Sequence, residues 1–205
     1  MKTQINSALK TSVTAILLFV SLFSVPAMAA TITVDQGNPR MDIKRVVVTG
    51  NTKVLLIQND SEYVKIDDVD MDKVALKQMG TTLTVSSSDT YPVTVIVYVK
   101  DIYRIEASEK AWVRTAGKFK VKNLQVILKD DASAAVKATT ESLYTAIDGN
   151  AKLKLMGTTN SHYSKMAGLA KIDTNRFAAL KTEDHTNEVA LTAVSGHRKS
   201  LLLNK

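Results

Sequence analysis

The sequence predicts an all-β domain built as a parallel β-helix, or solenoid, preceded by a cleaved signal peptide. Three observations carry this prediction. The N-terminus places charge, a short apolar run and small residues in export order. Short β-forming segments then alternate with polar turns, and from the middle of the chain they recur with a period near 20 residues.

The N-terminal element comes first. Lys2 and Lys10 precede the apolar residues Val13 to Val25, with no acidic residue before them. That run holds 13 residues, well short of the roughly 20 that a membrane-spanning helix needs. Pro26 ends the helix, and Ala27-Met28-Ala29 supplies the small-x-small pattern read by a signal peptidase, with cleavage expected between Ala29 and Ala30. The competing reading, an uncleaved anchor, finds no stop-transfer segment behind it. Removing residues 1–29 takes two lysines and leaves 25 basic against 20 acidic side chains. The chain has no cysteine, which excludes disulfides and a lipid-modified cysteine at the cleavage site. The expected protein is exported to the periplasm or the cell exterior and is not a lipoprotein. Its membrane contact is expected only through the signal peptide.

Residues 30–44 read as a leader with a turn at Gly37-Asn38-Pro39, and residues 45–205 as a single domain. Val46–Thr49, Lys53–Ile57, Tyr63–Ile66, Thr82–Ser86, Val93–Val99 and Leu124–Leu128 are four- to seven-residue runs of β-formers, and each reads as a strand. Asp72–Met79 would suit a helical turn or two, but its setting among strands makes it a strand. The repeat shows in Tyr144-Thr-Ala-Ile147 and Tyr163-Ser-Lys-Met166, offset by 19 residues, with Gly149, Ala151 and Leu153 continuing against Gly168, Ala170 and Ile172. Steps of 19 and 21 back bring Leu128 with Ala132, and Ala107 with Ala111, to the same stations; a step of 19 forward brings Val189 and Leu191. Side chains alternate along a strand. Tyr103, Ile105 and Ala107 should therefore share the inward face, as should Leu124, Val126 and Leu128, and Leu143, Thr145 and Ile147. After each turn Ala111, Ala132, Ala151 or Ala170 restarts that face. An antiparallel β-sandwich of similar strands is the competing architecture.

Arg45 to Glu62 (RVVVTGNTKVLLIQNDSE) gives a strand, a polar turn at Gly50-Asn51, and a second strand ending in Gln58-Asn59-Asp60. Gly80-Thr81-Thr82-Leu83-Thr84-Val85 and Pro92-Val93-Thr94-Val95 follow. These segments resemble the bacterial family of "putative auto-transporter adhesin, head GIN" domains, over roughly residues 40–195. The family's repeats carry Ser-Gly-Xaa-Gly turns. Here the equivalents depart from that pattern: Ser108-Glu109-Lys110, Lys129-Asp130-Asp131, Asp148-Gly149-Asn150 and Ala167-Gly168-Leu169. The resemblance implies a right-handed β-helix in the Gram-negative cell envelope, and it implies no ligand or active site.

No residue set points to catalysis, a cofactor or a metal. Asp68-x-Asp70-x-Asp72 imitates half a calcium loop, but Lys73 and Met79 stand where the loop needs Gly and Glu. His162, His185 and His197 have no ligand spacing, and Ser195-Gly196-His197 is adjacent in sequence alone. Glu109, Asp130 and Asp148 form a short acidic ladder that could serve a carbohydrate-active enzyme, the alternative function. A polar turn outside a solenoid explains the same residues. Lys118, Lys120 and Lys122 should line one face, yet no dense Lys/Arg patch stands out, which with export argues against nucleic acid.

The outward face carries the sharpest expectation. Trp112 takes the station of Ser133, Lys152 and Lys171, and Tyr144 and Tyr163 another below Arg104 and Gln125. Exposed aromatics mark places where sugars or partner proteins stack. Trp112 could instead be covered by the N-terminal segment or a neighbouring turn. The expected function is a non-catalytic binding, adhesion or structural module of the envelope or surface. Its partner would be a surface glycan or envelope protein. An uncapped solenoid could also assemble coil to coil.

Overall fold

β-Branched and aliphatic residues at alternate positions make most of this chain strand, and the computed structural model describes it over residues 41–186. The twelve strands are β1 (Arg45–Gly50), β2 (Thr52–Gln58), β3 (Tyr63–Ile66), β4 (Ala75–Met79), β5 (Thr82–Ser87), β6 (Val93–Val99), β7 (Arg104–Ala107), β8 (Trp112–Ala116), β9 (Asn123–Leu128), β10 (Ser133–Ile147), β11 (Lys152–Met166) and β12 (Lys171–Thr186). All join one sheet, and the described residues contain no α-helix. Asp68–Lys73 forms a 3₁₀ segment, so the stretch 72–79 is strand only from Ala75.

The sheet curls around one apolar core because its strands stack in two parallel runs. β5, β1, β7 and β9 form the first, continued by the C-terminal halves of β10, β11 and β12. β6, β2 and β8 form the second, continued by the N-terminal halves of the same long strands. Tyr144 pairs with Tyr163 and Ser133 with Lys152, in the register that the repeat predicts. β12 carries an extra residue, so Lys154 meets Asp173 while Met156 meets Arg176. Two strands depart from the parallel scheme. β4 lies antiparallel on β5 and β3 antiparallel on β6, at the outer margins of the two runs.

Inward residues of both runs belong to a single buried cluster. Val46, Val48, Ile105, Val126 and Leu128 come from the first run; Val54, Leu56, Val95, Val113 and Leu153 from the second. Each full burial of such a side chain contributes about 1.5–3 kcal/mol. Ala111, Ala132 and Ala151 restart the inward face with no exposure. Tyr103 departs from expectation: it is 43% exposed, and Ile102 takes the inward place at 1%. The cause is local. The amides of Tyr103 and Arg104 both point to the Lys44 carbonyl, which breaks the alternation just before β7.

The turns stack as well. Glu109, Asp130, Gly149 and Gly168 occupy the same position in successive turns, with φ of 59°, 58°, 71° and 68°. Asn150 donates its amide to the Asp130 carbonyl at 2.8 Å and Leu169 to that of Gly149 at 2.8 Å. At the opposite corner the Gln58 side chain takes the place of a strand partner. Its Oε1 accepts the Lys120 amide at 2.7 Å and its Nε2 donates to the Lys120 carbonyl at 2.8 Å. Lys118, Lys120 and Lys122 are exposed there and alternate with buried Phe119 and Val121.

Candidate functional site

Parallel register has a chemical consequence: residues 19 to 21 apart in sequence become neighbours about 4.8 Å apart on an outward face. On the second run, Lys53, Trp112, Ser133, Lys152 and Lys171 lie side by side. Two residues further along, Leu55, Arg114, Ala135, Lys154 and Asp173 do the same, and beyond them Lys137, Met156 and Arg176. Seven exposed cations (Lys53, Arg114, Lys137, Lys152, Lys154, Lys171 and Arg176) therefore share this face. The carboxylate among these stations is Asp173, held 3.4 Å from the Lys154 ammonium. The backbone amide of Asn175 and the ammonium of Lys154 together lower the Asp173 pKa, so it stays ionised. The expectation that no basic cluster exists is thus corrected. Each strand contributes only one or two of these cations, so no local window of sequence contains the patch.

Trp112 is partly buried and forms one wall of a trough of about 650 Å³ on this face. Ser133 and Ala135 line it with side chains too small to fill the space between β8 and β11, and Lys152, Lys154 and Lys171 rise on the far side.

The outward face of the first run is different. Arg45, Arg104, Gln125, Tyr144, Tyr163 and Glu183 form one file. Glu106 ties Arg45 and Arg104 together at 2.8 and 3.2 Å, and Arg104 Nε donates to Gln125 at 2.7 Å. Tyr144 and Tyr163 stack with centroids 5.5 Å apart, and His185 lies on the other side of Tyr163 at 4.8 Å. Both faces of the Tyr163 ring are thereby occupied by protein, so its edge and hydroxyl are what remain for a ligand.

The acidic and histidine candidates fall into structural roles. Asp130 accepts the Glu109 amide at 3.0 Å and Asp148 accepts the Gly149 amide at 2.7 Å, as turn-fixing carboxylates do. Asp70 of the calcium-like stretch holds the Lys73 ammonium at 2.9 Å on the 3₁₀ segment. His162 is 4% exposed, its Nε2 lies 3.0 Å from Thr145 Oγ1, and Phe177 meets its ring edge-on at 5.3 Å. Burial lowers its pKa, and the Asp184 carboxylate opposes that shift. Ala27, Ala29, Ala30, Ser195, Gly196 and His197 lie outside the described residues.

Solved structures share this architecture. A putative adhesin from Bacteroides fragilis NCTC 9343 superposes with a TM-score of 0.61 at 13% identity, covering 72% of this chain and 73% of that one. A putative lipid binding protein from Parabacteroides distasonis ATCC 8503 gives 0.55 at 14% identity, covering 71% and 74%. A putative adhesin from the same organism gives 0.55 at 14%, covering 72% and 75%. No curated protein matches the chain. At these identities the likeness establishes the fold. Residues 42–187, spanning every described strand, match the family described as "Putative auto-transporter adhesin, head GIN domain", and the chain belongs to that family.

Proposed function

We propose that this protein is an exported, non-catalytic binding module of the cell surface or envelope, built as a right-handed parallel β-helix over residues 45–205. One observation carries the reading. Successive strands pair in parallel at nearly constant offsets, so the described strands present long outward files of side chains. Parallel strands joined within one sheet connect in the right-handed sense in about 98% of cases, which favours that hand. Of the carboxylates that could have served glycoside chemistry, Asp130 and Asp148 accept backbone amides in turns. Trp112 is the main aromatic contact on the surface, and the Tyr144–Tyr163 edge is a secondary one. The N-terminal residues fit a signal peptide removed between Ala29 and Ala30.

Two measurements test this reading. The full chain is expressed in a Gram-negative host and the N-terminus of the exported product is sequenced; a start at Ala30 is expected, and retention of residues 1–29 refutes cleavage. The exported protein is then screened against glycans and envelope polymers beside Trp112→Ala and Tyr163→Ala. Binding that Trp112→Ala weakens strongly and Tyr163→Ala mildly is expected. No binding to any surface polymer refutes the module reading, and identical profiles for all three proteins refute the aromatic contacts.

A further inference from the structure

Resting on the binding-module reading, we infer that the outward face of β2, β8, β10, β11 and β12 is a site for an acidic polysaccharide. Uronate or similar anionic groups would pair with Lys152, Lys154 and Lys171, and a sugar ring would lie in the trough against Trp112.

Lys152 and Lys171 are direct neighbours across β11 and β12, both exposed. Like charges placed directly opposite on a sheet repel each other. A sheet face with seven cations and one paired carboxylate therefore has an unmet demand for anions. Spacing is the second element. Lys152 and Lys171 stand about 4.8 Å apart across strands, and Lys152 and Lys154 about 6.6–6.8 Å apart along β11. Arg114 and Lys137 lie two strands from the next cation of their files, and this spread suits charges repeated along a polymer better than one small anion. The trough is the third element. It runs across β8, β10, β11 and β12, deepened where Ser133 and Ala135 are small, and its length across four strands suits an extended chain. Trp112 gives it an amphipathic wall, apolar on the ring and polar at the indole N–H, suited to a sugar ring with its C–H face and hydroxyl rim.

Other polyanions fit less well. Single-stranded nucleic acid is held by several aromatics on which successive bases stack; Trp112 is the single aromatic lining this trough. A bilayer surface would need apolar side chains to insert. Val69 and Met71 stand on the 3₁₀ segment, Met79 on β4 and Leu169 on a turn, all off this face.

The test is affinity electrophoresis of the full chain in gels containing polygalacturonate, dextran, polyglutamate or single-stranded DNA. Expected is retardation by polygalacturonate that exceeds retardation by polyglutamate and by DNA, with none in dextran. The triple variant Lys152→Gln/Lys154→Gln/Lys171→Gln should lose about tenfold in affinity for polygalacturonate, since each exposed ion contact contributes a modest share. Lys165→Gln, an exposed cation on the other face, should change nothing. Trp112→Ala should reduce polygalacturonate binding to the level of polyglutamate. Equal retardation by all polyanions, preference for DNA, or full retardation of the triple variant each overturns the acidic-glycan site. Retardation by dextran alone overturns it too, while leaving the binding-module reading intact. Failure to bind any polymer in the wider screen defeats both.

Discussion

Gly157→Ala should be among the most damaging single-methyl changes available in this domain. Gly157 sits within β11 at φ +102°, beside Ala138 of β10. A Cβ built there falls 2.1 Å from the Ala138 carbonyl oxygen. Backbone strain alone costs about 1–2 kcal/mol for an L residue at positive φ. Relieving the clash means moving two paired strands apart by about 1 Å, which weakens one or two ladder hydrogen bonds of about 1 kcal/mol each. The sum is about 2–4 kcal/mol. For a domain of this size each kcal/mol lowers Tm by about 2–4 °C, so a drop near 10 °C follows. Gly117→Ala is the control: it shares a positive φ of +73°, with nothing within 4 Å of its Cβ. It should cost about 1 kcal/mol. Urea denaturation followed by circular dichroism measures both, with hydrogen exchange at the Ala138 and Gly157 amides as a local readout. Equal losses in the two variants would refute the steric argument, because strain alone would then account for Gly157.

Stability should fall as pH drops below about 6.5. Burial holds the His162 pKa below its ordinary 6.5, so beneath that value the unfolded chain takes up a proton that the folded chain refuses. The loss can reach about 1.4 kcal/mol per pH unit at most. It is present in full only below the lowered folded pKa and absent above 6.5. Chemical denaturation between about pH 5 and 7 should show a slope that His162→Gln flattens; an unchanged slope assigns the effect elsewhere. Leu128→Ala, at a fully buried core position, should cost about 2–5 kcal/mol, whereas Leu169→Ala, 76% exposed on a turn, should stay within about 0.5 kcal/mol. Thermal melts that rank these two the other way would contradict the assignment of inward faces. Tyr163→Ala removes two ring stacks and should cost about 1–2 kcal/mol, with a matching loss of near-ultraviolet dichroism.

The strands were legible because alternation is local. Val93–Val99 and Tyr63–Ile66 carry their own apolar period and are strands at those bounds. The register of β10 on β11 was legible too, since Tyr144 and Tyr163 repeat identity as well as period. That of β11 on β12 follows the same offset of 19 as far as Asp173, beyond which the extra residue shifts it to 20. What could not be read was the order of the first layers. β1 pairs with β5 and β7, which lie 37 and 59 residues on, because the chain detours through β3 and β4 before returning. A detour to antiparallel margins has no period to reveal it. The Trp112 file was readable by counting 21 and 19 residues forward. The trough was not, because it is the absence of bulk at Ser133 and Ala135, and small residues carry no signal unless the neighbouring files are already aligned.

The charge pattern of the domain follows from where each kind of charged residue is useful locally. Aspartate accepts backbone amides in tight turns, as Asp130 and Asp148 do here, and Asp173 does so at the irregularity within β12. Lysine has a long apolar stem that covers the sheet surface while its ammonium reaches water, so it suits outward strand positions such as Lys152, Lys154 and Lys171. In an isolated hairpin these preferences would leave the charges mixed. When turn stacks on turn and strand on strand, Asp130 and Asp148 come to lie along the turn edge, beside Lys110 and Lys129, while seven cations and Asp173 gather across the second sheet face. A net charge of +7 spread over 205 residues therefore understates the field at that face. The repulsion between Lys152 and Lys171 is a cost that local propensity does not require, since a polar neutral residue would serve either position as well. A domain that keeps such a pair beside an aromatic-walled trough has, at that place, traded some stability for an affinity toward anions.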